Sequence, residues 1–531
     1  MSLLRSAMTV GGMTLLSRIL GFARDVLLAA LLGAGMVAEA FVVAFRLPNL
    51  FRRFFGEGAF NAAFVPLFAK RLEGEGQAAA RRFAEEAFAG LLFILLLLTL
   101  VAEVFAPAFV YVLAPGFAGN AQKFELAVLL TRITFPYLLC MSLVALLSGV
   151  LNSLHRFALA AFAPVLLNIV FIMVLVYGWF RALHGSPELG VLLAAGVTFA
   201  GFAQLLLLWV AAARAGFAIR LRRPRYTEGM RRLVRLGIPG LIAGGITQLN
   251  LVISTIIASW QEGAPAWLYY ADRIYQLPLG LVGVAIGVVL LPDVSRRLRA
   301  GDDNGVWQAQ NRAMEFALFL TVPAAIALMA MPVLVVQALF ERGAFTHADT
   351  IATAQALAAF AAGLPAFVLI KVFSPAFFAR EDTRTPMHYA AVSVGLNIAL
   401  ALALFPFIRH VGIALATTVA SWVNVLLLGR ALRARGWWRA DAALRRALPR
   451  MLLAAFIMGA VLLAAHYLLW NGMAANAPQG LVIAALAGMV LLGALVYLAL
   501  SWKLGVVSRA TLRAALKRPP QDARVSGENG E

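Results

Sequence analysis

The chain has 531 residues, of which 62% are hydrophobic and 13% charged, and it carries a net charge of +20. Soluble domains carry about 25% charged residues, so the composition excludes an ordinary soluble enzyme and points to an all-α integral membrane protein. The basic residues lie in short stretches between apolar runs, as the positive-inside rule requires, and not along one face as in a nucleic-acid groove.

Apolar runs of about 20 residues or more, enough to span hydrocarbon, recur in chain order. We place them at 8–32, 37–67, 84–113, 125–153, 158–180, 188–213, 230–259, 266–295, 308–338, 350–378, 386–407, 411–433, 448–470 and 480–502, about 14 transmembrane helices by the length rule. Connections after odd-numbered segments (33–35, 115–120, 185–187, 261–265, 343–349 and 471–479) are compact and poor in Lys and Arg. Those after even-numbered segments are basic: Lys70, Arg71, Arg81 and Arg82, then Arg220, Arg222, Arg223 and Arg225. Arg296, Arg297 and Arg299 follow, then Arg435, Arg439, Arg445 and Arg446. This alternation predicts cytoplasmic N- and C-termini. The first apolar stretch carries Arg18 and Arg24, so no cleavable signal is expected. Cys140, the single cysteine, cannot form an intrachain disulfide.

Four short matches repeat in order at an offset of about 226–230 residues. VPLFAKRL from Val65 answers LPDVSRRL from Leu291, and Leu167-Asn168-Ile169 answers Leu396-Asn397-Ile398. Arg82, Glu85 and Ala87 answer Arg312, Glu315 and Ala317, and Ala44 and Arg46 answer Ala271 and Arg273. Six helices per repeat give two halves of equal orientation, related by an axis along the membrane normal. The expected units are two pseudo-symmetric six-helix lobes, 1–216 and 217–436, around a central cavity. Two extra C-terminal helices (437–505) and a disordered cytoplasmic tail (506–531) complete the chain.

Residues 17–57 hold too much charge for a stretch that spans lipid. Arg18, Arg24, Asp25, Glu39, Arg46, Arg52, Arg53 and Glu57 all fall there. One ionised group at the bilayer centre costs about 2.5–3.5 kcal/mol even on the lenient insertion scale. These groups are therefore expected to face an internal, net cationic cavity; for Arg53 and Glu57, snorkelling at a helix end is the competing reading. At about 100° per residue, Arg18 and Asp25 share a face, and Glu39, Arg46 and Arg53 share a stripe. In the second half, Asp272 and Arg273 offer either cavity charges or a structural pair. Lys371 is either a cavity cation or the counter-charge of Glu315. Asn168 and Asn397 are expected to be interhelical hydrogen-bonding groups.

Arginine forks match phosphate oxygens bidentately, so converging arginines with few acids suggest an anionic guest, phosphate or pyrophosphate best. No HExxH pair and no GxxxxGK[ST] loop occurs, and no catalytic residue, metal or cofactor is expected.

The stretches SRILGFARD, GAGMVAEAF, FRLPNLFRRFFGEGAFNAAFVP, APGF at 114–117, TFPY at 134–137, FAPVLLN and YYADR resemble the MurJ (MviN) family. These are lipid II flippases of the multidrug/oligosaccharidyl-lipid/polysaccharide exporter superfamily, and the resemblance runs over essentially the whole chain. It implies an inner-membrane transporter that moves the undecaprenyl-pyrophosphate-linked peptidoglycan precursor to the periplasmic leaflet by alternating access. It also implies that the last two helices form a groove for the polyprenyl tail. Arg18, Arg24, Arg52 and Arg273 stand where the family has its required arginines, as substrate-binding residues for the pyrophosphate head. Asp25, Glu39, Arg46, Arg53, Glu57 and Asp272 support them. Position 39 is Glu where Asp is familiar. Segment 230–259 has Gln248 and Asn250 where some members hold sodium through an acid. Lipid II and membrane lipid are the implied partners, with cell-division or elongation machinery as protein candidates and no nucleic acid. Three other readings compete: an exporter of another polyprenyl-linked saccharide or of drugs and cations, a membrane enzyme using Asp302-Asp303, and a non-transporting scaffold of the cell-wall machinery.

Overall fold

Backbone N–H and C=O groups find no water inside hydrocarbon, so a chain this apolar must bond them within helices. The computed structural model describes residues 3–52, 59–470 and 477–506, which form α-helices joined by short turns, with no strand among the described residues. The first half contains α1 (Leu3–Leu32), α2 (Met36–Arg52), α3 (Ala59–Gly74), α4 (Gln77–Leu113), α5 (Ala121–Thr134), α6 (Pro136–Ser153), α7 (Phe157–Phe180) and α8 (Pro187–Arg214). The second contains α9 (Glu228–Ala258), α10 (Ala264–Arg299), α11 (Asp303–Ala330), α12 (Pro332–Phe340), α13 (His347–Ala361), α14 (Leu364–Phe378) and α15 (Arg384–Ala434). Last come α16 (Ala442–Trp470) and α17 (Gln479–Lys503). Nine described stretches are long and apolar enough to cross a membrane.

Proline sets the points at which expected segments divide. Segment 125–153 splits at Phe135, before Pro136, and 308–338 splits at Met331, before Pro332. Proline lacks the N–H that would continue the helix and crowds the residue before it. Segment 350–378 divides at Gly363, two residues before Pro365. A straight α15 of 51 residues would be about 77 Å long, more than twice the roughly 30 Å hydrocarbon core. It breaks at Ile408 and Arg409, the latter at φ 53°. Segments 386–407 and 411–433 then fold back as an antiparallel pair. Ser393 Oγ donates to the Ala420 carbonyl at 2.6 Å and Thr417 Oγ1 donates to Asn397 Oδ1 at 3.4 Å.

Within the first half α1 packs on α7, α2 on α5, and α8 on α6 and α7. Within the second, α15 packs on α9 and α14, and α10 on α13 and α14. The last pair sits outside both, α16 against α11 and α17 against α12 and α16. The halves meet where α9 lies on α3 and α4, and where α10 meets α2 and α1. Ahead of α9 the connecting strap is tied to α4. Buried Glu85 accepts from Arg222 Nε at 2.5 Å and from the Arg220 N–H at 3.2 Å, and Thr227 Oγ1 donates to Glu86 at 2.7 Å.

Between α14 and α15, Asp382 accepts from the Thr385 hydroxyl at 2.6 Å and its N–H at 3.0 Å, and pairs with Arg435 at 2.5 Å. The Thr385 hydroxyl, its N–H and the Arg435 charge hold the Asp382 carboxyl down at about 2. A depressed carboxylate stabilises the fold above its unfolded value of about 3.9 and loses that contribution as pH falls toward the folded value. Asp382→Asn should therefore lower thermal stability at pH 7 by the modest worth of an exposed cluster, up to about 1 kcal/mol. The difference from the parent should vanish as the pH approaches 2, read by thermal unfolding of the purified protein.

Candidate functional site

Short connections with small residues let the two halves touch backbone to backbone at one end of the molecule. The Ala344 N–H donates to the Ala30 carbonyl at 2.8 Å, and Tyr270 OH donates to the Gly33 carbonyl at 2.9 Å. The Gly116 N–H donates to Ser259 Oγ at 3.1 Å. Gly33 (φ 62°) and Gly343 (φ 59°) are required there, since a Cβ would overlap the Ala344 and Ala30 carbonyls, respectively. This end is closed. Residues 28–32 of α1 are buried, whereas Arg18, nearer the chain start, is exposed.

Glu39 belongs to this closure and does not line the cavity. It is fully buried, ion-paired with Lys123, and accepts from the Gly263 N–H of the other half at 2.7 Å. Expecting it among the cavity charges from its helical stripe overlooked Lys123, whose ammonium also lies 4.6 Å from the Phe117 ring. The signal available was a lysine in the first turn of α5, just ahead of the apolar run that begins at 125. Truncating one partner of a buried pair strands the other charge, at about 3–5 kcal/mol. Glu39→Ala should lower the unfolding temperature accordingly, and adding Lys123→Met should recover most of the loss.

Beside the closed end lies a cavity of about 880 Å³ between the halves. Among the described residues its charged lining comprises the cations Arg18, Arg24, Arg46, Arg273 and Lys371 and the acids Asp25 and Asp272. α1 and α10 run antiparallel along it, bringing Asp25 to Tyr269 and Arg273. Asp25 is 3% exposed. Arg24 forks onto it, Nε at 3.0 Å and Nη2 at 2.8 Å, while Tyr269 OH donates to the same oxygen at 3.1 Å. Arg273 Nε approaches the other oxygen at 3.9 Å, too far for a hydrogen bond, and this buried donor has no acceptor among the described residues. Two guanidiniums thus share one carboxylate and keep a positive excess. Phe171 lies 5.2 Å from the Arg24 guanidinium and Tyr269 lies 4.7 Å from that of Arg273.

Asn168 does more than join helices. Its Nδ2 donates to the Ser17 carbonyl at 2.9 Å and its Oδ1 accepts from Arg24 Nη1 at 3.0 Å, which aims the guanidinium. Asn397 holds α15 to α9 through Asn250. Arg46 reaches Thr255 and the Leu251 carbonyl on α9. Asp272 takes its hydrogen bond from Gln276, and Arg273 turns instead to Asp25 of the other half. Lys371 faces the cavity, whereas the charges acting on Glu315 are Arg312 and Asp441. Arg53, Glu57 and the side chain of Arg52 lie outside the described residues. Among the described residues no group of three His, Cys, Asp or Glu could hold a metal ion.

Long apolar helices in two packed halves, with a charged chamber between them that is shut at one end, define a membrane transporter of the exporter fold. The chain superposes on an inward-facing multidrug resistance MATE transporter of the MOP superfamily with a TM-score of 0.66 at 14% identity, covering 81% of this chain and 98% of that one. It superposes on a lipid II flippase MurJ in an inward closed conformation with a TM-score of 0.76 at 24% identity, covering 96% and 99%. Residues 28–506 match the family model "Lipid II flippase MurJ". A probable lipid II flippase MurJ of Rhizobium meliloti is 50% identical over 519 residues, 98% of this chain and 97% of the relative. The chain belongs to the lipid II flippase MurJ family.

Proposed function

We propose that this protein is a lipid II flippase of the bacterial inner membrane that carries the precursor from the cytoplasmic to the periplasmic leaflet. The observation that carries the reading is the cation excess of the closed-ended chamber, centred on Arg24 and Arg273 around Asp25. Lipid II presents a pyrophosphate, a disaccharide–pentapeptide head and a long apolar tail. The head enters between the lobes 1–216 and 217–436 while the tail stays in lipid or against the helices of 437–505. Arg24, Arg52 and Arg273 receive the pyrophosphate, with Arg24 and Arg273 offering it the donors now turned toward Asp25; Arg18, about 9 Å of helix rise from Arg24, stands apart from them against Gly280.

The basic connections support an orientation with the open end toward the cytoplasm and the shut end toward the periplasm. Rocking of the lobes then opens the shut end, as alternating access demands. An inside-negative potential opposes export of a bare anion by about 2.3 kcal/mol per charge per 100 mV. Cavity arginines cancel much of that charge. The same potential draws the emptied cationic chamber back inward. Depleting the protein from growing cells and assaying each leaflet tests the reading. Lipid II should accumulate in the cytoplasmic leaflet, and an unchanged distribution would refute it.

A further inference from the structure

We infer that Lys371 and Arg18 form a second anion station, apart from Arg24, Asp25 and Arg273, which takes a carboxylate on the peptide of the cargo. The inference rests on the lipid II reading. Lys371 sits in the middle of α14, within LPAFVLIKVFSPAFF. An ammonium among such neighbours must face water or an anion, and Lys371 is exposed into the chamber. Neither it nor Arg18 has a carboxylate partner among the described residues.

α10 is hollowed to admit both arms. A Cβ on Gly283 would stand 2.7 Å from Lys371 Nζ and 3.0 Å from its Cδ, and a Cβ on Gly280 would overlap Arg18 Nη1. These glycines are one helical turn apart, and the two cations are near enough to repel each other. Two like charges held together without an acid form a seat for an anion.

The seat is remote from the first group. Gly280 and Gly283 follow Arg273 by about 10 and 15 Å of helix rise. The Arg273 guanidinium turns the opposite way, over Tyr269. Along α1, Arg18 and Arg24 are about 9 Å apart in rise. A diphosphate is too short to bridge the two stations. A head group with a diphosphate at one end and carboxylates on its peptide is long enough. The second station thus selects cargo that bears its peptide.

The test measures affinities of the full-length protein in lipid nanodiscs for lipid II and for the same undecaprenyl-pyrophosphoryl disaccharide without its peptide. The parent should prefer lipid II by about tenfold, the effect of one charge-assisted contact. Lys371→Gln should abolish that preference without weakening the peptide-free lipid, and Lys371→Arg should retain it. Gly283→Ala should mimic Lys371→Gln, because its Cβ displaces the ammonium without removing the charge, and alanine favours the helix over glycine. Equal weakening of both lipids by Lys371→Gln, no change in either, or no preference in the parent would overturn the inference. A parent that binds neither lipid would refute the flippase reading itself.

Discussion

Arg24→Ala is expected to abolish export of the precursor while leaving the protein inserted and folded. Arg24 presents two donors to Asp25 that our reading hands to the pyrophosphate. Hydrogen bonds to charged groups are worth about 1.5–3 kcal/mol each, so losing two should slow transport by at least about 100-fold at 1.4 kcal/mol per decade. Asp25 is not stranded by the change, since Tyr269 and Arg273 remain beside it. Membrane levels and unfolding temperature should therefore stay close to those of the parent. Arg24→Lys keeps the charge without the fork and should fall between the two. Normal peptidoglycan export in cells whose only copy carries Arg24→Ala would contradict the clamp.

Gly343→Ala should hold the protein open at its shut end. The strain of an alanine at φ 59° is common to both arrangements, but the added Cβ overlaps the Ala30 carbonyl only while the halves touch, so the overlap biases against the closed one. Every 1.4 kcal/mol of such bias shifts the population tenfold, and a shift of at least about tenfold is expected from a backbone overlap that must be relieved. Ala34, 3% exposed beside this contact, is the reporter position. Ala34→Cys in a Cys140→Ser background should be protected from a membrane-impermeant maleimide added outside the cell. Gly343→Ala should make it reactive and slow transport, because resetting needs the closed end. Unchanged labelling would show that the glycine contact does not gate the chamber.

The fold class was legible in the sequence because the bilayer imposes it: long apolar runs can be little but helices, and basic connections alternate with compact ones. The internal offset likewise anticipated Arg46 and Arg273 both facing the chamber from opposite halves. The cost of charge in lipid pointed Arg18, Arg24 and Asp25 at a chamber, which they line, and helical periodicity put Arg18 and Asp25 on one face. It could not say that Asp25 would be shared by Arg24 and Arg273, since that pairing depends on how α1 docks antiparallel to α10. It misplaced Glu39, because its partners Lys123 and Gly263 come from α5 and from the turn before α10. Segments read as single spans divide at Phe135, Met331 and Gly363, where nearby prolines interrupt the hydrogen-bond ladder.

What the sequence determined by itself was composition acting against solvent: a helical membrane protein with buried cations that lipid could not tolerate. Which cations meet which acids, which glycines let the halves close, and where Lys371 points were decided only by tertiary packing. Glu39 with Lys123, Asp25 with Arg273, Gly343 with Ala30 and Gly283 with Lys371 are each more than 80 residues apart in sequence and arrive within a few ångströms, a condition that local pattern does not encode.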